Sequence, residues 1–202
     1  MEKNRLEAFS DGVLAIIITI MVLELKLPHV VVHASHSAKL ADLESLFPVF
    51  LSYVLSFVYV GIYWNNHHHM FHSTKQVVGG ILWANLHLLF WLSLFPFTTS
   101  WMGENDFAST PTAVYGFVLL MAALAYLLLQ RTIMAHQGSG SLLARAVGKD
   151  WKGKLSAVGY LVAIPLAFVS PWISGALYVA VALWWLVPDC RIERLVVNRE
   201  PE

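Results

Sequence analysis

Apolar runs long enough to cross a bilayer recur along this chain, and no other feature constrains it as strongly. The first, 13–23, is interrupted by a single hydroxyl, Thr19. About 20 predominantly apolar residues cross a hydrocarbon core roughly 30 Å thick. Of the 202 residues, 57% are apolar and 13% charged, whereas soluble domains carry roughly 25% charged residues. The pattern predicts an all-α integral membrane protein with six transmembrane helices in one domain, at about residues 6–27, 45–67, 78–102, 111–135, 155–170 and 171–188. Pro171 suits the first turn of a helix and interrupts the one before it, so the last two spans should form a tight hairpin. The first run has no small-residue cleavage site and further spans follow it, which argues against a removed signal peptide.

Orientation follows from the basic residues. Six spans put Lys3, Arg5, Lys75, Arg131, Arg145, Lys149, Lys152, Lys154, Arg191, Arg194 and Arg199 on one side, and leave only Lys26 and Lys39 on the other. Both termini are thus expected in the cytoplasm. A net charge of zero gives no electrostatic basis for a nucleic-acid partner. The lone Cys190 excludes an intrachain disulfide. Six spans in so short a chain make one bundle but hardly a gated path through its centre. A pore would therefore be built by several copies around an axis.

The entry to the first span concentrates polar chemistry. Arg5, Ser10 and Asp11 stand just before apolar residues, and charges that close to hydrocarbon persist where they face protein or water. Asp11 near a helix N-terminus is also favoured by the exposed amides and the macrodipole, so a simple cap is an alternative. Beyond it, Gly12, Ile16, Thr19, Leu23 and Leu27 fall at three- and four-residue steps with Ile20 beside them, which is one helical face. Turned toward a shared axis, such a face would place a ring of branched side chains at Ile16 that gates by dewetting. Packed against neighbouring helices, the same small and hydroxyl residues would be ordinary contacts.

Arg-x-x-x-Phe-Ser-Asp, here Arg5, Phe9, Ser10 and Asp11, resembles the signature of the bacterial potassium channels related to transmembrane protein 175, the endolysosomal channel of animals. Trp64-Asn65-Asn66-His67-His68, Asn85-Leu86 and Pro96-Phe97 extend the resemblance over nearly the whole chain. It implies a homotetramer in the bacterial cell membrane whose first span lines the pore, without a Thr-Val-Gly-Tyr-Gly filter, a run this chain also lacks. It implies that Ile16 is the hydrophobic constriction, that Gly12, Thr19, Ile20 and Leu23 line the wall, and that permeant potassium passes near Ile16 and Thr19. It further implies that Arg5, Ser10 and Asp11 are held by His67 or His68, Asn85 and Trp83 of spans two and three.

Other groups carry competing readings. His68 and His72 are one turn apart, but consecutive histidines diverge by about 100° on a helix, so His67, His68 and His69 converge poorly on a metal. No metal and no cofactor is expected, and no catalytic motif is present. The histidines suit a hydrogen-bonded network or a pH-responsive cluster. His87, within span three, should face the bundle interior and find a partner. Glu24 either attracts cations at the outer mouth or pairs with Lys26. Most tryptophans sit near span ends, as interfacial belts require. The expected function is a potassium-preferring cation channel. Two competitors are a proton-coupled transporter using Asp11 and the histidines, and an assembly protein with no flux of its own.

Overall fold

In the computed structural model, residues 2–25, 46–74, 76–138 and 150–186 are described. Seven helices follow in order: α1 (Lys3–Leu23), α2 (Phe47–His72), α3 (Gly79–Ser93), α4 (Phe95–Glu104), α5 (Ser109–Gln137), α6 (Trp151–Leu166) and α7 (Pro171–Leu186). Because α3 and α4 continue each other as one rod, Gly79–Glu104, the described residues make six rods. Four of them, α1, α2, the α3–α4 rod and α5, are long and apolar enough to cross a membrane.

The rods differ from the sequence expectation mainly at their ends. Hydropathy falls at the histidine run, yet α2 continues to His72. Neither a histidine nor an asparagine breaks a helix whose neighbours pack on it. The 16-residue helices α6 and α7 reach only about 24 Å each at 1.5 Å per residue. The hairpin between them forms where expected. The chain turns over 167–170 and restarts at Pro171, and the Ser174 hydroxyl donates to the Ala163 carbonyl at 2.7 Å to tie the two helices together. Cys190, Lys26, Lys39, Lys75, Arg145, Lys149, Arg191, Arg194 and Arg199, with most of the 137–153 connection, lie outside the described residues.

The core lies between α2, the α3–α4 rod, α5 and the short hairpin. It is unusually rich in tyrosine. Tyr59, Tyr115, Tyr160 and Tyr178 are all buried, with Phe95 among them. Their rings meet edge-on or tilted at centroid separations of 5.7–6.5 Å, the geometry favoured by the aromatic quadrupole. Each hydroxyl needs a partner so far from water. The Tyr59 hydroxyl donates to the Tyr178 carbonyl at 2.6 Å, that of Tyr160 to the Tyr59 oxygen at 3.2 Å, and that of Tyr178 to the Thr112 carbonyl at 3.2 Å. Ser56 joins the hydroxyls of Thr99 and Tyr115 at 2.6 and 2.9 Å. Two glycines permit the closest approaches. A Cβ on Gly103 would lie 2.7 Å from the Val49 Cα, and one on Gly116 would overlap the Tyr178 hydroxyl. Against this frame α1 rests on α2, α3 and α4.

Candidate pore wall and the network behind it

The two sides of α1 have different surroundings. Leu6, Ser10, Leu14, Ile17 and Met21 are buried, and steps of three and four make them a single stripe. On the opposite side, Ala8, Gly12, Ala15, Ile16, Thr19 and Leu23 are exposed. Ile16 and Leu23 stand out at 58% and 73%, with Ile20 at 41%. Among the described residues, no atom of another helix lies within 4 Å of where a Gly12 Cβ would be. The Thr19 hydroxyl donates to the Ile16 carbonyl at 2.9 Å, a common helical back-bond, which leaves its oxygen lone pairs on the open side. The residues expected to line a wall therefore share one face, which is exposed among the described residues.

Behind the wall runs a short hydrogen-bonded chain. The Ser10 hydroxyl donates to the Leu6 carbonyl at 2.9 Å and accepts from the Asn85 amide nitrogen at 2.9 Å. The Asn85 oxygen lies 2.7 Å from His67 Nε2. An amide oxygen can only accept, so Nε2 carries the hydrogen and donates. Ser10 and Asn85 are fully buried and His67 is 2% exposed, so all three satisfy one another away from water. This chain fastens α1 to α3 and α3 to α2.

A second fastening is separate from the first. The Trp64 indole donates to Asp11 Oδ1 at 3.1 Å. His68 is exposed and stacks on Trp64 at 6.2 Å; it makes no part of the buried chain. Of the two histidines left open by the sequence, the geometry brings His67 to Asn85. Trp83 is not brought to the network: it is 76% exposed on the far side of α3, and Trp64 bonds the aspartate instead. Arg5 and Phe9 are exposed, and Arg5 makes no ion pair among the described residues. At the base of α1, Lys3 bonds the His72 carbonyl at 3.2 Å and pairs with Glu7 at 4.0 Å.

At the other end of α1, Ile20 and Glu24 border an open cavity of about 470 Å³ shared with Ser93, Pro96, Phe97, Ser100, Trp101 and Glu104. Ser100 lies 3.3 Å from Glu24 Oε2 and 3.1 Å from Glu104 Oε1, so Glu24 tethers α1 to α4. Lys26, its alternative partner, is outside the described residues. Among the described residues no group of three or more His, Cys, Asp or Glu is placed to hold a metal ion. Sequence reasoning missed Trp64 as the aspartate's partner, and it missed the tyrosine core. The only available signal for the latter was that these tyrosines fall inside the spans instead of at their ends.

Comparison with known proteins fits this arrangement. A family model described as endosomal/lysosomal potassium channel TMEM175 matches residues 5–96, the segment that holds the wall and both fastenings. A potassium channel of Chryseobacterium sp. (strain P1-3) is 52% identical over 96% of this chain and 97% of its own. The chain belongs to the TMEM175 family. A solved TMEM175 homolog from Chamaesiphon minutus, described as a lysosomal potassium-selective channel, superposes with a TM-score of 0.81 at 30% identity, covering 93% of this chain and 98% of that one. The human endosomal/lysosomal proton channel TMEM175 is 28% identical over 68% of this chain and 29% of its own length. TMEM175 proteins are channels and not enzymes, so this is a multi-pass membrane protein of a bacterial potassium-channel family.

Proposed function

We propose that four copies of this chain form a potassium-preferring cation channel, with α1 of each copy turned to a common axis and Ile16 as its narrowest ring. One observation carries the reading: α1 is docked along a single stripe and leaves Gly12, Ile16, Thr19, Ile20 and Leu23 exposed among the described residues. A ring of branched aliphatic groups holds water poorly, so a cation has to shed part of its hydration to pass, which favours the more weakly hydrated ion. Thr19 lone pairs near the ring partly replace the lost water. The permeant species is potassium, with no resident cofactor, and the excess of basic residues places both termini on the cytoplasmic side of the bacterial cell membrane.

The test is reconstitution into liposomes and a reversal potential under opposed potassium and sodium gradients. Ile16→Ala and Ile16→Asn should raise cation leak several-fold and move the reversal potential toward the non-selective value. Unchanged current with unchanged selectivity rules out Ile16 as the constriction.

The histidine of the Ser10–Asn85–His67 chain, and the animal relatives named as proton channels, favour a second reading in which protons take part, as in a proton-coupled transporter using Asp11 and the histidines. An imposed proton gradient that drives potassium uphill would establish it. A passive channel shows no such accumulation.

A further inference from the structure

Not every polar group inside the rods is accounted for by the wall and its fastenings. His87, expected in the bundle interior, is exposed and accepts from the Trp91 indole at 3.0 Å. Tyr63 is different. It is buried, at 9% exposed, yet its hydroxyl bonds nothing among the described residues, and a phenol taken from water without a partner is costly. Among the described residues, the only fully enclosed side-chain nitrogen or oxygen without a partner is Gln137 Nε2. The Tyr63 oxygen is therefore reached from open space.

The cavity that Tyr63 borders measures about 40 Å³ and lies among α2, α5, α6 and α7, toward the end of the bundle where α6 begins and α7 ends. Tyr59, Tyr63, Tyr126, Tyr160 and Trp185 surround it with Asn66, and no residue of α1 takes part. Its chemistry is one-sided. No lysine or arginine lines it to meet an anion, and no carboxylate lines it to hold a metal ion. The lining offers aromatic rings, whose faces are negative, and oxygen lone pairs. The Tyr126 hydroxyl reaches only the Asn66 carbonyl, at a long 3.5 Å. Asn66 gives its amide nitrogen to the Ile62 carbonyl at 2.8 Å and keeps its side-chain oxygen as an acceptor.

The rings are held in place. Tyr63 and Tyr126 meet edge-on at 6.0 Å, and the Trp185 indole donates to the Ser156 hydroxyl at 2.8 Å. One cation already uses this lining, for Lys152 Nζ lies 4.9 Å from the centre of the Trp185 ring. At roughly 10–15 Å³ for each water-sized group, the cavity has room for about three, which is an ammonium nitrogen and the two carbons behind it. We propose that the cavity binds a primary ammonium head, its N–H donors shared among the Tyr63, Tyr126 and Asn66 oxygens and its charge held by the rings. Such a head comes as a free amine or as the ethanolamine headgroup of a phospholipid. The inference does not depend on where the pore lies.

The test melts the full chain in detergent with increasing ethanolammonium chloride, against sodium chloride of equal ionic strength. A saturable rise in melting temperature with the first salt alone is expected, since a guest of the folded state stabilises it. Tyr63→Phe keeps the ring and removes only the unpartnered oxygen, so it should fold and raise the half-saturating concentration several-fold. Trp185→Leu should raise it about tenfold, as loss of a desolvated cation–π contact does. Trp151→Leu, at an exposed tryptophan outside the cavity, should leave it unchanged. Nanodiscs of phosphatidylethanolamine and of phosphatidylglycerol separate the sources. A higher melting temperature in the former, reduced by Tyr63→Phe, assigns the lipid headgroup; equal melting in both, with a saturable effect of the free salt, assigns the soluble amine. No effect of either form, or an effect that Tyr63→Phe and Trp185→Leu both leave intact, overturns the proposal and leaves the cavity to water.

Discussion

Asn85 shows how much one buried amide decides. Its oxygen accepts from His67 and its nitrogen donates to Ser10, so either partner's loss orphans half of the group. An orphaned buried donor or acceptor costs about 1–3 kcal/mol. Ser10→Ala and His67→Phe should each lower thermal stability by about that much, read as tryptophan fluorescence or aggregation against temperature in detergent. Asn85→Leu combined with Ser10→Ala should cost less than the sum of the two changes, because the second removes a hydroxyl that has already lost its Asn85 donor. The sequence named Ser10 and Asn85 through a motif. It left His67 and His68 open because neighbouring residues on a helix point about 100° apart and only packing says which is inward. For the tryptophan the sequence named only Trp83, two residues before Asn85. The indole that reaches Asp11 is that of Trp64, on α2.

At the scale of the helix, close approach explains what periodicity does not. A Gly103 Cβ would come 2.5 Å from the Ser52 hydroxyl and 2.7 Å from the Val49 Cα. A backbone atom cannot step aside, so Gly103→Ala must part α2 from α4. The expected cost is about 1–3 kcal/mol, the usual range for overpacking, with a matching fall in melting temperature. Gly12→Ala meets nothing within 4 Å on the other helices among the described residues. It should leave the melt of the subunit unaltered while changing conductance in reconstituted bilayers. Two glycines in apolar helices look alike in the sequence, because the atoms that distinguish them belong to other helices. Four long apolar rods were legible, since apolar length sets them. Their ends were not, as the run of α2 on to His72 shows: hydropathy measures cost in lipid and not the continuity of backbone hydrogen bonds.

For the whole molecule, the number and order of rods followed from apolar runs and breakers, and the hairpin from Pro171. The tyrosine cluster that binds α2, α5 and the hairpin did not, because aromatic residues within spans give no period that separates core from lipid. Orientation remains a prediction of charge. A fluorescent protein fused to either terminus should glow and a periplasm-dependent phosphatase there should stay inactive; activity of the phosphatase at both ends would invert the topology. A pore helix anchored along one stripe also separates two kinds of inheritance. On the proposed reading, changes at Gly12 or Thr19 would alter the aperture without touching the joints that keep the subunit folded. Descendants of one frame are then free to exchange one permeant ion for another, and the names of this chain's relatives, divided between potassium and the proton, are what such freedom would leave behind.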